Sequence, residues 1–157
     1  MNINKYELTA ETIEFQGRKL YRIKALRDFS EVKKGDLGGF VESKKNLSQK
    51  GNCWIYNDAK VFDNAMVYGS AVVSCSARVY DYARVFNCAR VFGSASVFGF
   101  VRVGGYAMVY GSTSIYGFAR VGGSGEVQEF SDYLQSQICH SMDCYDARLT
   151  FKEKIKW

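Results

Sequence analysis

The chain has 157 residues, 24% of them charged, with a formal net charge of +5 and no proline. That length suits one domain, a positive balance is the wrong sign for a protein that imitates DNA by surface charge, and no apolar run is long enough to cross a bilayer. Five cysteines at irregular spacing (Cys53, Cys75, Cys88, Cys139, Cys144) make an odd count that favours reduced thiols over a disulfide framework. The start MNINKYELTA is polar and has no signal-peptide pattern, so a cytoplasmic protein is expected, with no membrane partner.

Residues 5–27 predict a β-hairpin, because ETIEF and KLYRI alternate and Gln16-Gly17 supplies the turn. Gly35-Asp36 and Gly38-Gly39 then punctuate the chain ahead of Phe40 and Val41. From Ile55 to Val127 every sixth residue is Val or Ile, and two residues before each stands a small or compact side chain, Ala in most repeats. Neither a helix (period 3.6) nor an uninterrupted strand (period 2) keeps a period of six. A unit this short buries its apolar side only by stacking on copies of itself, so the chain is a solenoid. Val41 and Leu47 fit the count, and the eight residues from Leu47 to Ile55 imply a two-residue bulge near Lys50-Gly51. Each repeat has the form small-x-Val-aromatic-Gly-Ser, as in Ala95–Phe100: the small residue and the Val face inward, and the Gly, Asp, Asn and Ser residues turn a corner.

This pattern resembles the hexapeptide repeat of left-handed parallel β-helices, in which three short strands close one triangular coil of 18 residues. The left-handed winding enters with the resemblance, since it departs from the usual crossover rule. The expected fold is therefore all-β: a single-stranded left-handed parallel β-helix of about five coils and roughly 24 Å in height. An N-terminal hairpin cap (1–36), the helix itself (37–128) and a C-terminal capping segment (129–157) complete the expected organisation. KALRDFSEVKKGDLGGFVES (24–43) and NLSQKGNCWIY (46–56) are similar to the leading segment of YdcK-like proteins, bacterial and prophage-borne β-helix proteins that carry transferase labels assigned on fold alone. The resemblance carries over no catalytic residue.

Positions 18 apart stack, so the sequence divides into three faces. One presents Phe62, Tyr80, Phe98 and Tyr116; a second presents Tyr56, Phe92 and Tyr110. Exposed aromatic area on this scale marks an interface more often than free surface. Phe62, Tyr80, Phe98, Tyr116, Phe92 and Tyr110 are therefore the expected contacts of a homo-oligomer, a trimer first and a dimer second. The third face carries a column of Arg84, Arg102 and Arg120, beside corner aromatics Tyr82, Phe100 and Phe118 and a trough where side chains vanish at Gly104 and Gly122. Like charges about 4.8 Å apart repel by roughly 1 kcal/mol per neighbouring pair even in water. An anionic ligand or an acidic protein surface would relieve that repulsion; in its absence the arginines splay over aromatic rings into solvent. Direct DNA binding is not expected.

The enzymes best known on this helix leave different marks. A γ-class carbonic anhydrase needs three histidines on zinc, whereas this chain has one, His140, outside the repeats. Acyltransferases of the fold usually use a histidine base on a projecting loop, and residues 53–128 contain neither histidine nor insertion. Asp58, Asp63, Asp81 and Glu126 are read as turn and surface groups, and Cys139, His140 and Cys144 lack a fourth ligand at a zinc spacing. No metal or cofactor is expected. The reading is a non-catalytic, self-associating β-helix; through its prophage setting, the resemblance implies binding and disabling of a host factor such as a nuclease complex or a signalling nucleotide. An acyltransferase-like enzyme with a site between subunits and a structural assembly component are the alternatives.

Overall fold

A computed structural model describes residues 4–127. The expected C-terminal cap (129–157), with His140, Cys139 and Cys144, lies outside the described residues.

Strands β1 (Tyr6–Phe15) and β2 (Arg18–Ala25) form the antiparallel hairpin. Gln16 (φ 52°) and Gly17 (φ 77°) are both left-handed, as a two-residue primed turn requires to match the twist of its strands. β3 (Leu37–Val41) pairs antiparallel with β2 and parallel with Lys60–Val61, so the hairpin extends the first sheet of the solenoid at its N-terminal end. Thirteen two-residue strands follow at six-residue intervals, from Trp54–Ile55 to Glu126–Val127. They pair in parallel with the strand one coil on, as in Arg78↔Ser96, Arg90↔Met108 and Arg102↔Arg120, and so build three sheets of seven, five and four strands. This is the left-handed β-helix of about five turns. The bulge also stands where the spacing puts it: Leu47 bridges Val67 and Val41 pairs with Val61, both 20 residues on, whereas Ile55 pairs with Val73, 18 on.

The inward Val and Ile side chains are at most 2% exposed, and the alanines beside them are fully buried. Thr113 replaces Ala in that row, and its hydroxyl is satisfied by donating to the Tyr110 carbonyl at 2.7 Å. Corners explain the period. The second residue after each inward Val or Ile, twelve in succession from Asn57 to Gly123, has a left-handed φ between 55° and 80°. Gly, Asn and Asp adopt that conformation most readily, and they hold every corner but the one at Cys75. Carboxylates also link corner to corner: Asp63 accepts the N–H of Asp81, and Asp81 accepts the N–H of Gly99.

The N-terminal segment closes one end of the stack. Tyr6, Ile23, Ala25, Phe29 and Val32 join the same core as Val41, Leu47 and Ile55. Trp54, an outward position by alternation, is 1% exposed because Tyr6 and Phe29 pack edge-on against it. Gly38 and Gly39 pass so close to the first coil that a Cβ on either would lie 2.5 Å from a carbonyl oxygen, of Ile55 and Ala59 respectively. That contact demands glycine in GDLGGFVES. Arg22 clasps hairpin to coil: it pairs with Glu11 and Asp58, donates to the Gly38 carbonyl at 2.6 Å and lies 4.2 Å over the Phe40 ring.

Candidate interaction site

The third sheet aligns its outward residues in register, with Met66 beside Arg84, Arg84 beside Arg102 and Arg102 beside Arg120. All three arginines are exposed, and among the described residues none has an ion-pair partner. Alternation fixes this arrangement: each Arg stands between an inward Ala or Val and an inward Val.

Two residues before each arginine, Tyr82, Phe100 and Phe118 form a continuous stack. Ring centroids are 5.1 Å apart at both steps, with interplanar angles of 4° and 5°. The rings are 54%, 51% and 65% exposed, so the column adds an apolar edge to the basic strip rather than a packed ladder. No ring contact joins the three arginines to these or other aromatics of the described residues, so the arginines are not laid over rings as the solvent-splayed alternative supposed.

On the other side of the arginine column the trough differs from expectation. Tyr68 and Phe86 stack at 5.3 Å, and the Phe86 ring leans onto the next coil. A Cβ on Gly104 would lie 2.5 Å from that ring, so Gly104 is buried rather than open backbone. The bare step is one coil further on, at Gly122, where Phe86, Arg102, Gly104, Arg120 and Gly122 surround a pocket of about 320 Å³. Phe86 is thus a wall of the site. Its signal in the sequence is its place 18 residues before Gly104, in the same column.

The first face is also revised at one end. Phe62, Tyr80, Phe98 and Tyr116 stack with centroids 4.9, 4.8 and 5.1 Å apart. Phe62 is only 1% exposed, because Phe15, Leu20 and Phe40 of the hairpin and β3 cover it. It is a core residue and offers no surface to another copy of the chain, whereas Tyr80, Phe98 and Tyr116 are half-buried. On the second face Phe92 and Tyr110 stack at 4.9 Å with planes 1° apart.

Among the described residues no three His, Cys, Asp or Glu side chains converge on a metal-sized site, and no helix is long and apolar enough to cross a membrane.

Sequence comparison bears on the same architecture. The chain is 36% identical over 74 residues to the uncharacterized acetyltransferase YdcK of Escherichia coli (strain K12). That similarity and the stacked coils fit a YdcK-like hexapeptide-repeat protein. The match takes in 41% of this chain but only 23% of that protein, so the chain spans less than a quarter of its relative's length. No family profile matches the chain.

Proposed function

We propose that this hexapeptide-repeat chain is a binding module whose third face holds an acidic protein surface. Three in-register arginines that have no counter-charge among the described residues carry the reading, since an acidic partner supplies that charge on a rigid spacing. The Tyr82–Phe100–Phe118 stack provides the apolar anchor that such interfaces need at their centre. Function follows from capture: by occupying an acidic face of a host factor the module inhibits or sequesters it, in a bacterial or prophage setting. Self-association through Tyr80, Phe98 and Tyr116 of the first face would present several such faces at once and raise avidity.

The test is affinity capture from bacterial lysate, comparing the native chain with an Arg102→Glu, Arg120→Glu variant and identifying bound proteins by mass spectrometry. Acidic partners retained by the native chain, released by salt and lost from the variant are the expected result. Identical capture by both chains sinks the proposal. The relative's name as an acetyltransferase favours a second reading, acetyl transfer at a site between subunits. Calorimetric titration with acetyl-CoA separates the two, because the binding-module reading expects no saturable heat.

A further inference from the structure

The second face has an interrupted ladder. Its outward column runs Tyr56, Ser74, Phe92, Tyr110, and the two upper rings stack at 4.9 Å like the rungs of the first face. Ser74 breaks the series. Tyr56 and Phe92 are two coils apart, about 9.6 Å at the usual strand spacing, which is two stacking steps with one rung missing.

A pocket of about 500 Å³ lies at this gap, walled by Tyr56, Ser74 and Phe92. Its rim carries opposite charges: Arg90 from the neighbouring column and Glu31 from the loop before β3. The Phe29–Val32 bridge closes that loop into a tight turn, with Ser30 in a left-handed conformation (φ 50°), and Phe29 packs it edge-on against Trp54 of the sheet. The Tyr56 hydroxyl titrates above its ordinary value, first through burial and then through Glu31 and Asp36, with Arg90 acting the other way. Acidic and basic groups thus both act on the same ring.

We propose that this gap is a binding site for a free aromatic amino acid, whose ring takes the place of the missing rung between Tyr56 and Phe92. The carboxylate pairs with Arg90 and the ammonium with Glu31, while the small Ser74 side chain leaves room for the ring. A purely apolar ligand would leave both charges unanswered, and a simple anion would leave the slot unfilled. The site lies on a different sheet from the arginine column and does not depend on it.

The probe is L-tryptophan, titrated calorimetrically into the full chain beside tryptamine and indole-3-propionate, which lack the carboxylate and the ammonium respectively. One-to-one saturation by L-tryptophan is expected, with each analogue bound about tenfold more weakly or worse. Ser74→Phe supplies the missing rung from the protein itself. It is expected to abolish binding while raising the thermal midpoint, since the new ring stacks on Phe92. Arg90→Gln and Glu31→Gln, both at the rim, keep the test decisive if Ser74→Phe fails to fold: each is expected to weaken L-tryptophan about tenfold. Absence of saturable heat up to about 10 mM ligand, or native-strength binding in both rim variants, overturns the proposal.

Discussion

Lys5 Nζ donates to the carbonyl oxygen of Cys53 at 2.7 Å and stands 3.2 Å from that residue's Sγ, fully out of water. Burial holds its pKa below the ordinary 10.5, against the opposing pull of Cys53, and Arg27 adds to the lowering. Between the lowered folded value and 10.5 the unfolded chain carries the extra proton, so stability rises with pH across that interval. Tyr6, whose hydroxyl donates to the Leu47 carbonyl, acts in the opposite sense: burial raises its pKa far above 10.0, so the fold keeps a proton that the unfolded chain loses. Stability therefore falls as pH climbs past 10.0.

Denaturant titrations from pH 7 to pH 11 are expected to show a maximum at or just below the ordinary tyrosine pKa of about 10. Lys5→Met weakens the rising limb, to which Lys60, also lowered by burial, contributes, and leaves the falling one. A rising limb of native slope in that variant would show that another group carries it.

Cys75 is the corner residue whose side chain does not suit its backbone, at φ 62°. The left-handed conformation costs an ordinary L-residue roughly 1–2 kcal/mol. Cys75→Gly is expected to stabilise the chain by about 1 kcal/mol, part of the relief being offset by the greater freedom of glycine when unfolded. Cys75→Val should destabilise it. The bond from the Cys75 N–H to Asn57 Oδ1 (3.0 Å) survives both changes and isolates the backbone effect. Equal midpoints for the Gly and Val variants would contradict the corner account.

Phe62 and Phe98 belong to one stack but have different roles. Phe62→Ala empties a site enclosed by the hairpin and should cost about 3–5 kcal/mol without changing the native mass in sedimentation. A Phe98→Asp, Tyr116→Asp variant removes stacking contacts worth about 0.5–1.5 kcal/mol per pair and places charge on the half-buried face. It is expected to sediment as a monomer where the native chain is oligomeric. A native chain already monomeric ends the case for self-association through this face.

Stacked like charges leave a mark in salt. Arg102 has a like-charged neighbour on each side, and screening weakens both repulsions as the Debye length falls from about 30 Å at 0.01 M to about 8 Å at 0.15 M. The native thermal midpoint should rise over that range, and Arg102→Gln should raise the low-salt midpoint and flatten the dependence. If the variant keeps the native salt slope, the column is not under electrostatic load.

The repeat made most of this fold legible because each six-residue unit meets the same two local demands: a small residue beside an inward Val, and a corner that tolerates positive φ. Gln16-Gly17 was equally readable, since a two-residue hairpin turn has few solutions. What stayed hidden was the covering of outward positions. Alternation gives Phe62 and Trp54 the same outward sense as Phe98 and Met108, yet both are sealed by residues 25 or more positions earlier, Phe15 and Leu20 on one and Tyr6 and Phe29 on the other. Local pattern states where a side chain points and is silent about what lands on it. The same limit concealed Phe86 over Gly104, where a ring crosses from one coil to the next.

Twelve corners of one conformation also make the stack a ruler. A block of 18 residues added or removed anywhere between Asn57 and Gly123 moves everything above it by one graduation, about 4.8 Å, and leaves each face pointing where it did. Reach can therefore be changed without changing grip: the distance from the clasped hairpin to the arginine column is set by how many coils are counted out.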